Sequence, residues 1–328
     1  MLKRPQELAK NIVIIDGLSK SGKSMVCPLV SSLERSELWV ADHIFEYLSS
    51  IYNLGGIDRE PAIALMRLHA DLDLYNLRIG RNTNFRSQDD TGAARSFMED
   101  IYKERLLHPG GDPVVDEIAI SNPTLVLMTH YIFGMSNLIF EAFGDRLKLY
   151  ILCRRHPIDL LKGWHEGNWS ERIGKDPREF QLSIEYGDNY LPWFTYGWEE
   201  KYLEMNPLEK SVASVCFFLE AFRSRMESMD TESLEKVMII DYDEIIQTPG
   251  SVIKGICERI NSKQTERTAK VLEYLKIPRR LEPRDKEYAD YLVELKAGVS
   301  EELFKRFEAL LVVKSDGFFQ YHECCGLV

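Results

Sequence analysis

The residues best equipped for chemistry lie near the start of the chain. Gly17-Leu18-Ser19-Lys20-Ser21-Gly22-Lys23-Ser24 follows the β-branched run Asn11-Ile-Val-Ile-Ile-Asp16 and precedes the apolar stretch Met25 to Leu33. The loop fits G-x-x-x-x-G-K-S, and the runs on either side read as the strand and helix that this pattern requires. Glycines let the backbone turn tightly, so that several N–H groups converge on one oxyanion. The following helix adds the positive end of its dipole. Lys20 and Lys23 contribute mobile positive charge. The pattern points to a phosphate or sulfate ester; the competing account is an ordinary Gly/Ser turn. The loop alone does not say which group is transferred.

A second constellation follows the apolar run that ends at Cys153: Arg154-Arg155-His156-Pro157-Ile158-Asp159, then Trp164. By itself it reads as a solvated strand end in which an arginine pairs with Asp159 or Glu166. Beside the glycine loop it reads as a second anion site. Here the chain resembles the sulfotransferase family that uses 3′-phosphoadenosine 5′-phosphosulfate (PAPS), in which K-[ST]-G-[TS]-[TS] is paired with a later R-x-P-x-D. This sequence offers Lys20-Ser21-Gly22-Lys23-Ser24 and Arg155-His-Pro-Ile-Asp159. A weaker third match is Ile240-Asp-Tyr-Asp-Glu244-Ile-Ile-Gln-Thr-Pro249, and the three fall in family order across most of residues 11 to 260.

The resemblance implies that Lys20 contacts the bridging oxygen of the leaving phosphosulfate and that Ser21, Gly22, Lys23 and Ser24 cradle the 5′-phosphate. It implies that Arg155 binds the donor's 3′-phosphate, where a planar fork matches phosphate oxygens. Two positions depart from the family. Gly163 stands where it carries a serine on the 3′-phosphate, and Lys23 stands where it carries Thr or Ser. The second change completes a kinase-type motif and keeps ATP in play.

Sulfuryl transfer to a hydroxyl needs a base for the acceptor proton and a cation for the leaving phosphate. His130 follows the apolar run Thr124 to Met128, and cytosolic family members place a catalytic histidine at a comparable point. Carbohydrate-directed members use an acid just after the second strand, where Asp42-His43 follows Leu38-Trp39-Val40. His130, Asp42 and His43 all stay open as the base, against the plainer reading of hydrogen-bonded structural residues. The stretch Arg78 to Arg86 carries Arg81, Asn84 and Arg86, which suit either a lid over an anionic substrate or a polar loop. Trp164, Trp169, Trp193 and Trp198 lie near Tyr186, Tyr190 and Tyr196, and core packing explains them better than sugar stacking.

The elements that must position these groups alternate. Apolar strands are expected at Asn11–Asp16, Leu38–Val40, Thr124–Met128, Leu147–Cys153 and Val237–Ile240, with helices between them. Residues 44 to 107 read as mainly helical with a polar break at 80 to 90, and 156 to 235 as helical with an aromatic middle. That alternation implies a parallel sheet covered on both faces, a three-layer α/β/α P-loop fold. One domain over 1–328 is expected, with a helical insertion at about 44–112 and a C-terminal helical region at about 262–328.

With 328 residues, 45% hydrophobic and 28% charged, the chain can bury a core without disulfides. A net charge of −11 argues against a broad nucleic-acid surface. The six cysteines show neither a CxxC pair nor metal-ligand spacing, which points to a reducing compartment. No signal peptide or membrane span is legible, so the expected location is cytoplasmic. The oligomeric state and the acceptor cannot be read.

The expected activity is therefore sulfuryl transfer from PAPS, without an obligatory metal, to a hydroxyl acceptor such as a carbohydrate or glycolipid. The alternative is an ATP- and Mg²⁺-dependent small-molecule kinase, with the metal held by Ser24 and either Asp241 or Asp116-Glu117 after Val114-Val115. That reading leaves Arg155-x-Pro-x-Asp159 without a role. A third class, a nucleotide-binding regulator without chemistry, leaves His130 with nothing special to do.

Overall fold

A computed structural model describes Leu2 and residues 6–311. Cys324, Cys325 and the end of the expected C-terminal helical region lie outside the described residues. Six strands are present among them: β1 (Asn11–Asp16), β2 (Thr124–Met128), β3 (Leu147–Arg154), β4 (Ser183–Tyr186), β5 (Asn189–Pro192) and β6 (Val237–Asp241). Four form one sheet in the order β2-β1-β3-β6, and every neighbouring pair is parallel. Helices flank this sheet as a three-layer α/β/α arrangement requires. Ile12, Val13, Ile14 and Ile15 of β1 are fully buried, as are Leu125 to Leu127 of β2 and Leu149 to Ile151 of β3. A strand covered on both faces cannot alternate apolar with polar, which is why these read as unbroken apolar runs.

The expected strand at Leu38–Val40 is realised only as two parallel bridges to β2, Ser36↔Thr124 and Val40↔Leu127. Its backbone still joins the ladder: Val40 N–H donates to Val126 and Met128 N–H to Val40, at 2.9 and 2.8 Å. It therefore extends the sheet as an edge.

The chain divides into two compact units. The first holds the described residues up to Gly17, then Gly22–Arg154 and Asp230–Arg280. It contains the four-stranded sheet, helix α1 (Lys23–Ser31), helix α2 (Ile44–Asn53) and helix α3 (Arg59–Arg78). Val114-Val115 is not a strand. Gly110 and Gly111 break the chain and Pro113 starts a helix, Asp112–Ser121, whose interior holds Asp116 and Glu117. Neither acid stands at a strand end.

The second unit holds Leu18–Ser21, Arg155–Met229 and the described residues from Leu281 onward. The helix Pro157–Glu166 packs on the long helix Pro207–Ser228, which opens on a reciprocal cap between Asn206 and Glu209. Residues 156–235 are not helical throughout, because β4 and β5 form an antiparallel hairpin. Trp164 and Trp193 are fully buried against Phe218 and pack a core, whereas Trp169 and Trp198 are half-buried. Tyr186, Tyr190 and Tyr196 are exposed.

Candidate active site

All strands of the main sheet run the same way, so their carboxyl ends gather the residues that follow them. β1 is flanked by β2 on one side and β3 on the other, and the chain changes direction across the sheet between them. That switch point is where open parallel sheets leave a crevice for ligands. Asp42 and His43 follow the edge segment, Thr129 and His130 follow β2, the glycine loop follows β1, and Asp241 ends β6.

Asp16, at the end of β1, is fully buried and fully used. It accepts from the Thr129 hydroxyl at 3.2 Å, from Phe133 N–H at 2.8 Å and from the Tyr150 hydroxyl at 2.8 Å. Three donors, two from the turn after β2 and one from within β3, make this burial tolerable. The carboxylate fixes where the loop leaves the sheet.

In the first unit, Gly22 takes φ 104°, and a Cβ there would stand 2.9 Å from the Tyr242 ring. Only glycine suits both demands. Lys23 differs from the expected mobile cation. It is 6% exposed, and its ammonium donates to the Gly17 carbonyl at 2.6 Å. Burial lowers its pKa, with Asp16 working against the shift. Ser24, one residue on, is exposed.

In the second unit, Lys20 is exposed and holds φ 72°, rare for a residue with a side chain. Its carbonyl accepts from Arg155 Nη1 at 3.1 Å. The stem of Lys20 lies against Gly163, where a Cβ would come within 2.7 Å of its Cγ. That contact gives the departure at Gly163 a physical reason: any side chain there would displace Lys20. The ammonium sits 5.8 Å from the Trp169 ring centroid. The Ser21 hydroxyl is buried and, among the described residues, has no hydrogen-bond partner.

Asp159 organises the cations of this unit. It accepts from Arg155 Nε at 3.3 Å, Arg284 Nη1 at 2.5 Å and the Tyr288 hydroxyl at 3.0 Å. His156 stacks on Tyr288 with centroids 4.2 Å apart. Arg284 and Tyr288 were not legible beforehand, since they lie far along the chain in a charged region with no motif. Arg154 turns the other way, in the first unit, and grips both oxygens of Asp241 at 2.5 Å.

The candidate bases separate. Asp42 accepts from Ile44 N–H at 3.0 Å and lies 3.5 Å from His69 Nδ1, so it is engaged by the start of α2 and by α3. It also helps burial to push the nearby Asp73 carboxyl up to about 8. His130 and His43 share a partner that sequence reasoning missed, Glu46. This acid is 2% exposed and accepts from His130 Nδ1 at 2.9 Å and His43 Nδ1 at 3.0 Å. Burial and the Lys23 charge lower the His130 pKa, while Glu46 and Asp16 oppose them. The donor atoms of His43, Glu46 and His130 lie within 4.8 Å of one another, close enough to consider a metal ion. His43 and Glu46 stand one helical turn apart, a spacing that could have flagged the pair once the start of α2 was known.

The expected lid is organised mainly by itself. Asn84 donates to Asp89 and Thr91 at 3.2 and 2.7 Å and accepts from Arg86 N–H at 2.9 Å. Arg86 pairs with Asp89 at 3.1 Å, while Arg81 is exposed.

No protein-family model and no curated protein matches the chain. Three solved structures resemble it at low identity. The sulfotransferase domain from the curacin biosynthetic pathway is 12% identical, with 92% of this chain and 97% of that one covered and a TM-score of 0.46. Sulfotransferase STF9 from Mycobacterium avium is 12% identical, with 93% and 76% covered and a TM-score of 0.43. The sulfotransferase domain of the Synechococcus PCC 7002 olefin synthase is 11% identical, with 81% and 78% covered and a TM-score of 0.38.

Proposed function

We propose that the protein is a PAPS-dependent sulfotransferase acting on a hydroxyl. The observation that carries this reading is the hydrogen bond from the Arg155 guanidinium to the Lys20 carbonyl. Two motifs that lie far apart in sequence, each suited to an anion, are joined by it. The orphaned Ser21 hydroxyl supports the same reading, because a buried polar group without a partner is costly unless a ligand supplies one.

In this reading the loop amides, Lys20 and Ser21 hold the phosphosulfate, and Arg155 holds the 3′-phosphate. The acceptor oxygen attacks sulfur as the bond from sulfur to the 5′-phosphate oxygen breaks. The acceptor proton passes to Nε2 of His130, and 3′,5′-adenosine bisphosphate leaves with the new negative charge facing Lys20. A sulfuryl group carries less negative charge than a phosphoryl group, so the step needs no obligatory metal. A sugar hydroxyl is the acceptor class we place first, since the exposed tyrosines of the hairpin suit a sugar ring. Among the described residues four cysteines are free thiols, which fits a reducing, cytoplasmic setting.

The kinase alternative is poorly served by its metal-holding acids, since Asp116 lies inside a helix and the other two are engaged. Both oxygens of Asp241 are engaged by Arg154, and Glu117 is engaged by Arg78.

Calorimetric titration with 3′,5′-adenosine bisphosphate and with ATP, each with and without Mg²⁺, tests the reading. Metal-independent binding of the bisphosphate that weakens in Arg155→Ala and Lys20→Ala is the expected result. Mg²⁺-dependent ATP binding with indifference to the bisphosphate would overturn it.

A further inference from the structure

We infer that Glu46 is a positioning residue that holds His43 and His130 in one tautomer, with the proton on Nδ1 and the lone pair on Nε2. The base of the proposed reaction is then a member of a paired, pre-set arrangement. The use of Nε2 as a base rests on the sulfotransferase reading; the paired arrangement does not.

The argument begins with the donors around one carboxylate. Glu46 Oε1 accepts from the backbone N–H and from Nδ1 of His130, both at 2.9 Å, and Oε2 accepts from His43 Nδ1 at 3.0 Å. Burial alone would push this carboxyl up, but the hydrogen bonds from His130 and His43 outweigh it and bring its pKa down to about 2. An ionised carboxylate only accepts hydrogen bonds. Each imidazole must therefore present a proton at Nδ1. A neutral imidazole carries one N–H, so its lone pair falls on Nε2.

His130 is kept neutral by burial and by the Lys23 ammonium, against the pull of Glu46 and Asp16. The two rings lie 6.4 Å apart at 18°, consistent with both hanging from one acid. Helix geometry supplies the rest: His43 precedes α2, Glu46 lies in its first turn, and His130 follows β2, the neighbour of the edge segment. A dication held through the two Nδ1 atoms would have to displace both protons, and Lys23 carries like charge toward it.

Long-range ¹⁵N–¹H correlation spectra of the full chain labelled with ¹⁵N-histidine, at neutral pH, test this. The wild type should show His43 and His130 protonated at Nδ1 and bare at Nε2. Glu46→Gln has a single acceptor oxygen, which the His130 backbone N–H and Nδ1 both claim, so His130 should keep that form and His43 should lose it. Glu46→Ala should return both rings to the Nε2–H form that imidazole favours in water. If the alanine variant does not fold, the near-isosteric glutamine variant still decides. In the alanine variant, where His130 loses the acceptor for its Nδ1 proton, kcat should fall about 10²-fold or more, with both KM values little changed.

An Nε2–H ring in the wild type would overturn the inference, as would spectra unmoved by either variant. One equivalent of Zn²⁺ that shifts both rings in the wild type and not in Glu46→Gln would make the group a metal site instead. Rings in the expected form in a protein that transfers no sulfate would sustain the inference and sink the sulfotransferase reading.

Discussion

Glu46 in the first unit and Asp159 in the second are built on the same plan with opposite consequences. Each is a well-buried carboxylate that accepts from several side chains: Glu46 from two imidazoles, Asp159 from Arg155, Arg284 and Tyr288. The donors decide what each can do. Arginine keeps its charge at any pH a protein survives, so Asp159 orders permanent cations suited to a permanent anion. Imidazole can gain or lose a proton near neutrality, so Glu46 orders groups that can take one from a substrate. The difference teaches that one acid can either fix a charge or fix the direction from which a proton moves.

The sharpest break of this comparison is to delete one product of each device. His130→Ala should lower kcat by about 10²–10⁴-fold while the bisphosphate still binds. Arg155→Ala should weaken bisphosphate binding by about 10–10²-fold, the worth of a charged hydrogen bond. Equal losses of binding in both variants, measured by calorimetry, would show that the two regions are not specialised.

A smaller effect sharpens the cationic side. Gly163→Ser introduces the serine that PAPS-dependent sulfotransferases carry but presses on the Lys20 stem, so bisphosphate affinity should fall by about 10-fold instead of rising. A tighter-binding serine variant would mean that Lys20 moves aside freely.

A separate test of the proton side runs through stability. Asp73 is raised to about 8, by burial first and by Asp42 second, from an ordinary value near 3.8. The folded protein then holds a proton that the unfolded chain has already released. Stability from this group is lost as pH rises from about 4 to 8 and levels off above. Asp73→Asn should therefore gain on the wild type across that window, read as urea midpoints at pH 5, 7 and 9. A constant difference would show that Asp73 ionises normally.

Much of this was legible in the sequence, and the failures have physical causes. The four sheet strands stood out because burial on both faces keeps the centres of β1, β2 and β3 apolar. The hairpin was missed although Gly187-Asp188 separates its strands and Gly187 takes φ 58°, a two-residue turn signal overlooked among aromatics. Val114-Val115 misled because two β-branched residues outweighed the Gly-Gly-Asp-Pro start of a helix. Lys20 and Arg155 were found through motifs, whereas Glu46, Arg284 and Tyr288 were not. Their meaning lies in partners reached through the fold: Glu46 and His130 are 84 positions apart.

The parallel pairing of β1 also governs how the chain can be made. Asn11 lies beside Thr124 and Ile12 beside Leu147, with no nearer strand for β1 to join. During synthesis the run Ile12 to Ile15 emerges ahead of its neighbours and must wait for more than a hundred residues before they exist. Closing so long a loop makes this a topology of high contact order, slow to nucleate, while α2 and α3 can form locally in the meantime. The strand that launches the glycine loop thus leaves the ribosome well before either of the strands that cover its edges.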